Sequence, residues 1–564
     1  MDIIRVHKFD EVYVRVDCDE SIAMELTEYF SFFVPGYRFM PLFRSKQWDG
    51  KVRLFNRRNH MIYAGLVPYI QEFAKTREAE VVFENDPVYG SADDLQTIDP
   101  ADLAEFITNL ALHAHGEKIE PRPHQLVAIS HALKHKRMML LSPTASGKSL
   151  IIYAVIRWFL DHPIPGRPEK VLLIVPTTSL CSQMQSDFAD YSAKDKNWNA
   201  KDHIGVIMEG RSKNPTVTKY RIILADKSIK EFYQNDEVVT KRGVVLVQDL
   251  LSSDELLSMK IEKIEKIEKI VTEPEITITT WQSIFRLPPL WFKPYGMVIG
   301  DEAHTFKAKC LTSIMEKLHD ASYRIGTTGT LDGTVTHKLV LEGLFGPVYQ
   351  VTTTRELIDL DHLADFTIDI ALLKYPEEIC KACKSLSYAD ELDMIVRYSH
   401  RNRFIRNLAL AQNGNTLVLY NFVEKHGKPL HAMIVEKLNG TNRKVFFVSG
   451  GVEAEIREQI RAIVEKESDA IIVASLGTFS TGINIRNLHN IIFASPSKSQ
   501  IRILQSIGRG LRKSDNGKAT KIYDIADDLH YKKHRNYTLE HAGERVKLYA
   551  KEQFKYTITE VVLQ

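Results

Sequence analysis

The stretch Leu141-Ser-Pro-Thr-Ala-Ser-Gly-Lys-Ser-Leu150 decides the fold of this 564-residue chain. A phosphate-binding loop of the form G-x-x-x-x-G-K-[ST] works only when a strand runs into it and a helix runs out of it, so that backbone N–H groups converge on phosphate oxygens. Both flanks are present. Met138 to Leu141 is a short apolar run of buried-strand type, and Ser149 to Phe159 is apolar enough on all sides for a buried helix. Within the loop, Gly147 lets the backbone approach the phosphates, Lys148 reaches toward the β- and γ-phosphates, and the Ser149 hydroxyl is the expected Mg²⁺ ligand. Ser142, Thr144, Ala145 and Ser146 complete it, with Ser142 where the general pattern has its first glycine. A strand–turn–helix corner can carry Gly-Lys-Ser by accident, so the reading needs further parts.

Those parts lie outward along the chain. From about Lys118 to Asp361, strand-like and helix-like stretches alternate, the pattern of a parallel sheet covered on both faces. Val171 to Val175 is one buried-type strand, leaving through Pro176-Thr177; Tyr295 to Asp301 is another, ending in Asp301-Glu302-Ala303-His304. Ligands of open α/β sheets gather at the carboxyl ends of strands, where the phosphate loop also sits. Asp301 is therefore the metal candidate, and Glu302 the base that orients or deprotonates water. A second alternating region, 362–530, contains the strand-like runs Thr416–Tyr420, Lys444–Val448 and Ala470–Ala474.

The flanks differ in character. Residues 1–85 read as a small α/β unit with a helix over Ser21–Phe33, followed by a polar linker to residue 117. Between Arg38 and Arg58 stand seven Lys or Arg against one acid, Asp49, with Tyr37, Phe39, Phe43, Trp48 and Phe55 interleaved. Cations that neutralise phosphates beside rings that stack on bases suit a nucleic-acid surface, and Arg38, Lys51, Arg53, Arg57 and Arg58 are its candidates. The plainer alternative is a small domain whose rings form its core and whose charges are solvated. An insertion, 217–275, holds short β-like runs and then KIEKIEKIEKI (Lys260–Ile270). Its three-residue period drifts around an α-helix, so a charged helical arm or the edge of a helical hairpin is expected. The segment 531–564 has helical periodicity and many cations; packing on the preceding domain and lining a nucleic-acid exit both remain open.

Composition bounds the rest. Hydrophobic residues make up 44%, charged residues 26% and the net charge is +2, ordinary for a soluble protein and without a global basic field. No apolar run approaches the ~20 residues of a membrane span, and the start lacks the apolar core of a secretory signal, so no membrane partner and a cytoplasmic location are expected. Five scattered cysteines offer no disulfide framework. Cys380 and Cys383 form a single CxxC with no second pair nearby, which reads as ordinary thiols rather than a zinc site.

Taken in order, DEAH (Asp301–His304), Thr328-Gly-Thr330, SLGTFSTGINI (Ser475–Ile485) and QSIGRGLR (Gln505–Arg512) resemble motifs of superfamily-two helicases. The resemblance runs from about Arg122 to Arg512. It implies two RecA-like parallel-sheet motor lobes, 118–361 and 362–530, between a small N-terminal α/β domain and a C-terminal helical extension. It implies ATP and Mg²⁺ as cofactors, adenine recognition by Arg122 and Gln125, and arginine fingers at Arg509 and Arg512 beside Gln505. Gly482 and Asn484 are expected at the nucleotide or in coupling, and Thr177, Thr280 and Thr481 toward nucleic acid. Loops of that superfamily commonly read like PTGSGKT, so Ser142 is no defect. The departure is Ala145, where glycine is usual, which implies a competent loop of slightly different shape.

More narrowly, GYRFMPLFRSKQWDGKVRLFNRRNHMIYAGLV near the start, IIVASLGTFSTGINIRNLHN and HAGERVKLYAKEQFKY near the end resemble the UvsW recombination and repair helicases of tailed bacteriophages. That likeness implies an ATP-driven motor on branched DNA, R-loops or stalled forks, in the host cytoplasm if phage-encoded. RNA–DNA hybrids and single-strand-binding or recombination proteins are further implied partners. Two alternatives stand beside it: a double-strand translocase subunit of a restriction-type complex, and a binding or annealing protein with a silent motor.

Overall fold

The computed structural model describes residues 2–84, 88–91, 94–143, 145–208, 213–226, 228–233, 236–240, 243–251, 255–257, 261–306, 308–331, 335–363, 365–452, 454–478, 487–496 and 520–563. By internal contacts the chain divides into two units. The first is Met1–Met139, Ser149–Gly326 and Leu339–Pro347; the second is Leu140–Lys148, Thr327–Lys338 and Val348–Gln564.

The first unit opens with strands β1 (Ile3–Lys8), β2 (Tyr13–Asp17), β3 (Ser31–Phe33), β4 (Lys51–Arg53), β5 (Met61–Tyr63) and β6 (Glu80–Glu84). Four form a sheet in the order β5-β2-β1-β6, with β2 antiparallel and β6 parallel to β1. Period-two alternation sends Ile4, Val6, Val14 and Val16 inward, against Leu26 of the helix Glu20–Tyr29, Phe30 just past its end, and Ile70 and Phe73 of the helix Val67–Thr76. The first helix is shorter than its periodicity suggests. Ser31-Phe-Phe33 leaves it to pair with Lys51–Arg53, since consecutive aromatic residues fit a pleated strand better than a helix.

This small domain is clamped to the sheet that follows. Glu11 is buried and accepts from Arg137 Nη2 at 2.7 Å and from Lys8 Nζ at 2.7 Å. Burial alone would push its carboxyl pKa up, but the Arg137 and Lys8 charges prevail and hold it down at about 2. Tyr13 and Tyr63 both donate to Glu316 at 2.8 Å, and Tyr69 donates to Glu342 at 2.6 Å. Gly65 lies so close to the chain at Glu342–Gly343 that a Cβ there would overlap backbone.

Between this domain and the phosphate loop come the helix Pro100–Asn109, the hairpin β7 (His113–Ala114) and β8 (Glu117–Lys118), and the helix Pro123–His135. Then follow β9 (Arg137–Leu141), β10 (Lys170–Val175) and β11 (Ile204–Ile207). The insertion supplies β12 (Val217–Leu224), β13 (Ile229–Tyr233), β14 (Glu237–Thr240), β15 (Gly243–Leu246), β16 (Glu255–Leu257) and β17 (Ile261–Thr272), after which come β18 (Ile276–Thr280), β19 (Tyr295–Asp301), β20 (Tyr323–Thr328) and β21 (Val348–Gln350). The motor sheet has seven strands in the order β11-β18-β10-β19-β20-β9-β21, parallel at β11/β18, β18/β10 and β10/β19. The helix Lys148–Asp161 is buried continuously from Leu150 to Phe159, as its all-round apolar sequence requires.

The insertion overturns the helical expectation. It is a six-stranded antiparallel sheet, ordered β13-β12-β17-β16-β14-β15, with its own core of Ile222, Leu224, Val238, Val247, Leu250, Leu256 and Ile264. KIEKIEKIEKI lies almost wholly in β17. A three-residue repeat should throw successive isoleucines onto opposite faces of a strand. A bulge resolves the conflict: Ile222 pairs with Ile267, Ile223 with Lys266 and Leu224 with Ile264, so Glu265 is skipped. Ile264 and Ile267 thereby reach the same face and the same core.

In the second unit, β22 (Phe366–Lys374), β23 (Thr416–Tyr420), β24 (Val445–Val448), β25 (Ile471–Ser475), β26 (Asn490–Phe493), β27 (Thr520–Asp528) and β28 (Tyr556–Val562) form a wholly parallel sheet ordered β24-β25-β23-β26-β27-β22-β28. The segment after residue 530 supplies the helix Tyr537–Lys551 and also the edge strand β28. Arg545 is buried on Asp524 through two bonds of 2.8 Å, Tyr549 donates to the same carboxylate at 3.0 Å, and Phe554 meets Phe366 edge-on. Packing on the lobe therefore takes these three side chains out of reach of any nucleic acid. Cys380 and Cys383 are buried in the same lobe's apolar core, and no cluster of three or more His, Cys, Asp or Glu suited to a metal occurs among the described residues. Nor is any helix among them long and apolar enough to cross a membrane.

Candidate functional site

The loop after β9 adopts two left-handed residues, Ala145 at φ +67° and Gly147 at φ +83°. Glycine is at home there; alanine is strained by about 1–2 kcal/mol, because Cβ crowds the following carbonyl. The extra methyl does not drive the residue out of the left-handed region. Ser142 and Ser146, both buried, join their hydroxyls at 2.6 Å, and Ser146 Oγ also donates to the Pro143 carbonyl at 2.7 Å. The serine in place of the first glycine thus braces the loop from within. Lys148 Nζ donates to the Ser142 carbonyl at 3.3 Å, which keeps its ammonium at the loop. Ser142 N–H bonds the Thr328 carbonyl at 2.8 Å, and Thr328 Oγ1 donates to the Thr330 carbonyl at 2.7 Å, so the Thr-Gly-Thr turn is tied directly to the loop's root.

The expected metal ligand Ser149 hydrogen-bonds through its hydroxyl to Tyr191 at 2.8 Å. Tyr191 ends the helix Thr178–Tyr191, and nothing local in its sequence marks it; only the packing of two helices brings it there. Asp301 ends β19 and is 6% exposed. Glu302 then turns the chain out of the sheet at φ +49°, and its carboxylate lies 3.5 Å from His304 Nδ1. A non-glycine residue in that conformation stores strain, a cost that tends to be kept where side-chain direction matters. A hydroxyl and a carboxylate, Ser149 and Asp301, are the oxygen donors Mg²⁺ prefers.

Gln125 is buried and caps its own helix, with its Oε1 accepting from Arg122 N–H at 2.7 Å; the amide is oriented before any ligand arrives. Burial lowers the pKa of the neighbouring Arg122 guanidinium. Thr177 caps the helix Thr178–Tyr191, and Thr280 is buried with its hydroxyl 3.0 Å from Ser283 Oγ. Val175 and Thr280 are register partners, so the exits carrying Thr177 and Thr280 emerge side by side from β10 and β18. Thr144, Thr481, Gly482, Asn484, Gln505, Arg509 and Arg512 lie outside the described residues.

The five N-terminal cations divide into two kinds. Arg53 is paired with Asp49, whose carboxyl pKa it lowers, and Arg57 with Glu20 at 2.7 Å. Lys51 stands 5.1 Å over the Phe33 ring and Arg38 5.7 Å over Tyr37, while Arg58 has no carboxylate partner among the described residues. Phe55 is core, but Phe39 is 77% exposed. The rings of this stretch therefore divide between core and surface.

Three family models match the chain: DNA helicase UvsW, N-terminal, over residues 2–84; type III restriction enzyme, res subunit, over 118–333; and helicase conserved C-terminal domain, over 399–514. The chain is 32% identical over 573 residues to the ATP-dependent DNA helicase uvsW of Enterobacteria phage T4, covering 99% of this chain and 100% of that protein. It is 22% identical over 238 residues to the probable helicase D10 of Escherichia phage T5, across 42% and 50% of the two chains. The crystal structure of T4 UvsW aligns over 100% of both chains at 31% identity with a TM-score of 0.47. The DNA-bound restriction-modification enzyme LlaBIII shares the fold, at 15% identity and a TM-score of 0.50 over 79% of this chain and 32% of that one.

Proposed function

The chain belongs to the UvsW family of ATP-dependent DNA helicases, and from that premise we propose that its substrates are branched: forks, Holliday junctions and R-loops. Nucleotide use and a nucleic-acid substrate come with the family. Parallel-sheet motor lobes alone do not select a branch, because they are common to helicases that track one strand. The observation that carries the branched reading is the cation- and ring-rich N-terminal domain clamped to the first motor sheet through Glu11–Arg137 and the Glu316 and Glu342 contacts. A duplex arm held by that domain moves with the motor rather than on a tether.

In this reading Lys148 and the N–H groups of the loop bind the phosphates, Arg122 and Gln125 the base, and Glu302 orients water. Ser149 and Asp301 hold Mg²⁺, which when bound offsets phosphate charge. Arg509 and Arg512, with Gln505, act on charge that develops during transfer, and Gly482 and Asn484 couple the nucleotide to the strand. Thr177, Thr280 and Thr481 serve the tracked strand, and Arg38, Lys51, Arg53, Arg57 and Arg58 the duplex arm. RNA–DNA hybrids and single-strand-binding or recombination proteins are proposed partners, with the host cytoplasm as the place of action.

The test is a strand-displacement panel of R-loop, fork, Holliday junction and plain duplex, run beside a Glu302→Gln protein. Branched substrates should be displaced at least ~10-fold faster than plain duplex, and all displacement should vanish in the variant, which still binds ATP. Equal rates on all four would sink the branched reading. Processive movement on plain duplex without displacement would favour the restriction-type translocase, whose res-subunit model matches the first lobe.

A further inference from the structure

We propose that the excursion between β3 and β4, residues 34–50, is a strand-separating wedge: Phe39 stacks on the last base pair at a branch point, and Arg44 and Lys46 hold phosphates of the strand peeled away. The proposal rests on the branched-substrate reading above and adds the element that opens the branch.

The excursion is rigid at its base. β3 and β4 pair from Ser31↔Arg53 to Phe33↔Lys51, and Val34 N–H closes the neck on the Gly50 carbonyl at 2.9 Å. Tyr37 stacks on Phe33 at 4.6 Å and meets Phe43 edge-on at 4.7 Å. It also lies against Gly50, at φ +83°, where a Cβ would overlap the ring. Trp48 Nε1 donates to the Lys51 carbonyl at 2.8 Å, and the N–H groups of Gln47 and Trp48 both bond the Leu42 carbonyl. These rings are spent on holding the excursion's shape.

Its tip faces outward instead. Phe39 is 77% exposed and Leu42 56%, with Met40 between them also exposed. Leaving three large apolar side chains together in water has a cost that folding does not recover, so the patch points to a ligand. A cleft beside it is lined by Arg38, Arg44 and Lys46 with Phe43 and Trp48. Asp49, the one acid of the stretch, is taken by Arg53. Cations around exposed rings and apolar tips match nucleic acid: phosphates outside, flat base faces within. An intact duplex hides its base faces in the stack, whereas a branch exposes the terminal pair. A wedge must also not swing away from the motor, and the clamp at Glu11, Tyr13, Tyr63 and Gly65 holds it to the first motor sheet.

The experiment uses the full-length protein, its Phe39→Ala and Phe39→Trp variants, and a DNA fork with 2-aminopurine in the last base pair. Wild type should raise the 2-aminopurine fluorescence on binding. Phe39→Ala should lose that rise and separate about 10-fold fewer base pairs per ATP hydrolysed, in line with the loss of one stacked base. Phe39→Trp should restore both. Circular dichroism checks folding, which an exposed side chain should not disturb. Wild-type fluorescence and wild-type base pairs per ATP in Phe39→Ala would overturn the wedge while leaving the substrate preference standing. Loss of self-association or of a protein contact as its sole defect would overturn it too, marking the tip as a protein surface. A wild-type protein indifferent to branches that still loses the signal in Phe39→Ala would keep the wedge and remove the substrate reading.

Discussion

Ala145 shows how a single residue reports on its backbone. The alanine holds a left-handed φ of +67° beside Gly147, a geometry worth about 1–2 kcal/mol of strain to any residue with a Cβ. Ala145→Gly should relieve that strain and return ~0.4–1 kcal/mol of it as unfolded-chain entropy. A rise in the thermal midpoint of ~1–3 °C is expected in calorimetry without nucleotide. An unchanged or lower midpoint would mean that alanine is not strained there. The N-terminal cations make a second residue-scale case. Arg58 is free of carboxylates among the described residues, whereas Arg57 must first leave Glu20. Arg58→Ala should therefore lower the salt slope of fork binding by about one unit and Arg57→Ala by clearly less, because an internal ion pair releases fewer counterions on binding. Equal slopes would show that the Glu20 pair does not persist in solution.

At the scale of elements, the inserted sheet is where pattern and structure part. KIEKIEKIEKI carries a period that suits neither a helix nor a strand, and a single bulge at Glu265 converts it into a strand with Ile264 and Ile267 on one face. Deleting Glu265 should restore regular pairing and turn one isoleucine of the pair away from the core. Hydrogen exchange should then show lost protection across 217–272, with both motor sheets retaining theirs. Persisting protection in the insertion would mean that the bulge is not what reconciles the repeat with the sheet. The C-terminal helix makes the opposite point. Its Arg545 and Tyr549, which sequence left between core and nucleic acid, are committed to Asp524 inside the lobe.

At the scale of the molecule, the first unit depends on a buried charge cluster at the foot of the phosphate-loop strand. Glu11 has its pKa held at about 2, below the ordinary carboxylate value of 4.5, since Arg137 and Lys8 outweigh the cost of burial. A carboxylate depressed in the folded state contributes stability that is fully present above the unfolded value and is lost as pH falls toward the folded one. The clamp should hold above pH about 4.5 and weaken progressively toward pH 2. In urea unfolding, the difference between wild type and Glu11→Gln should be large at pH 6 and shrink at pH 3. A difference independent of pH would remove Glu11 from the clamp.

The sequence by itself determined the motor. Phosphate loop, DEAH turn and the order of later motifs are local: each is a short run whose chemistry follows from residue type and spacing, and strand–loop–helix context can be read from apolar runs alone. Only the tertiary structure decided the rest. Tyr191 reaches Ser149 because two helices pack. Arg57 meets Glu20, 37 positions away, while Arg58 meets no acid among the described residues, and Phe55 turns inward while Phe39 stays out. The repeat of β17 becomes a strand because β12 offers it a partner with a bulge. Each of these depends on contacts between residues distant in the chain, and periodicity carries no information about which distant partner a side chain meets.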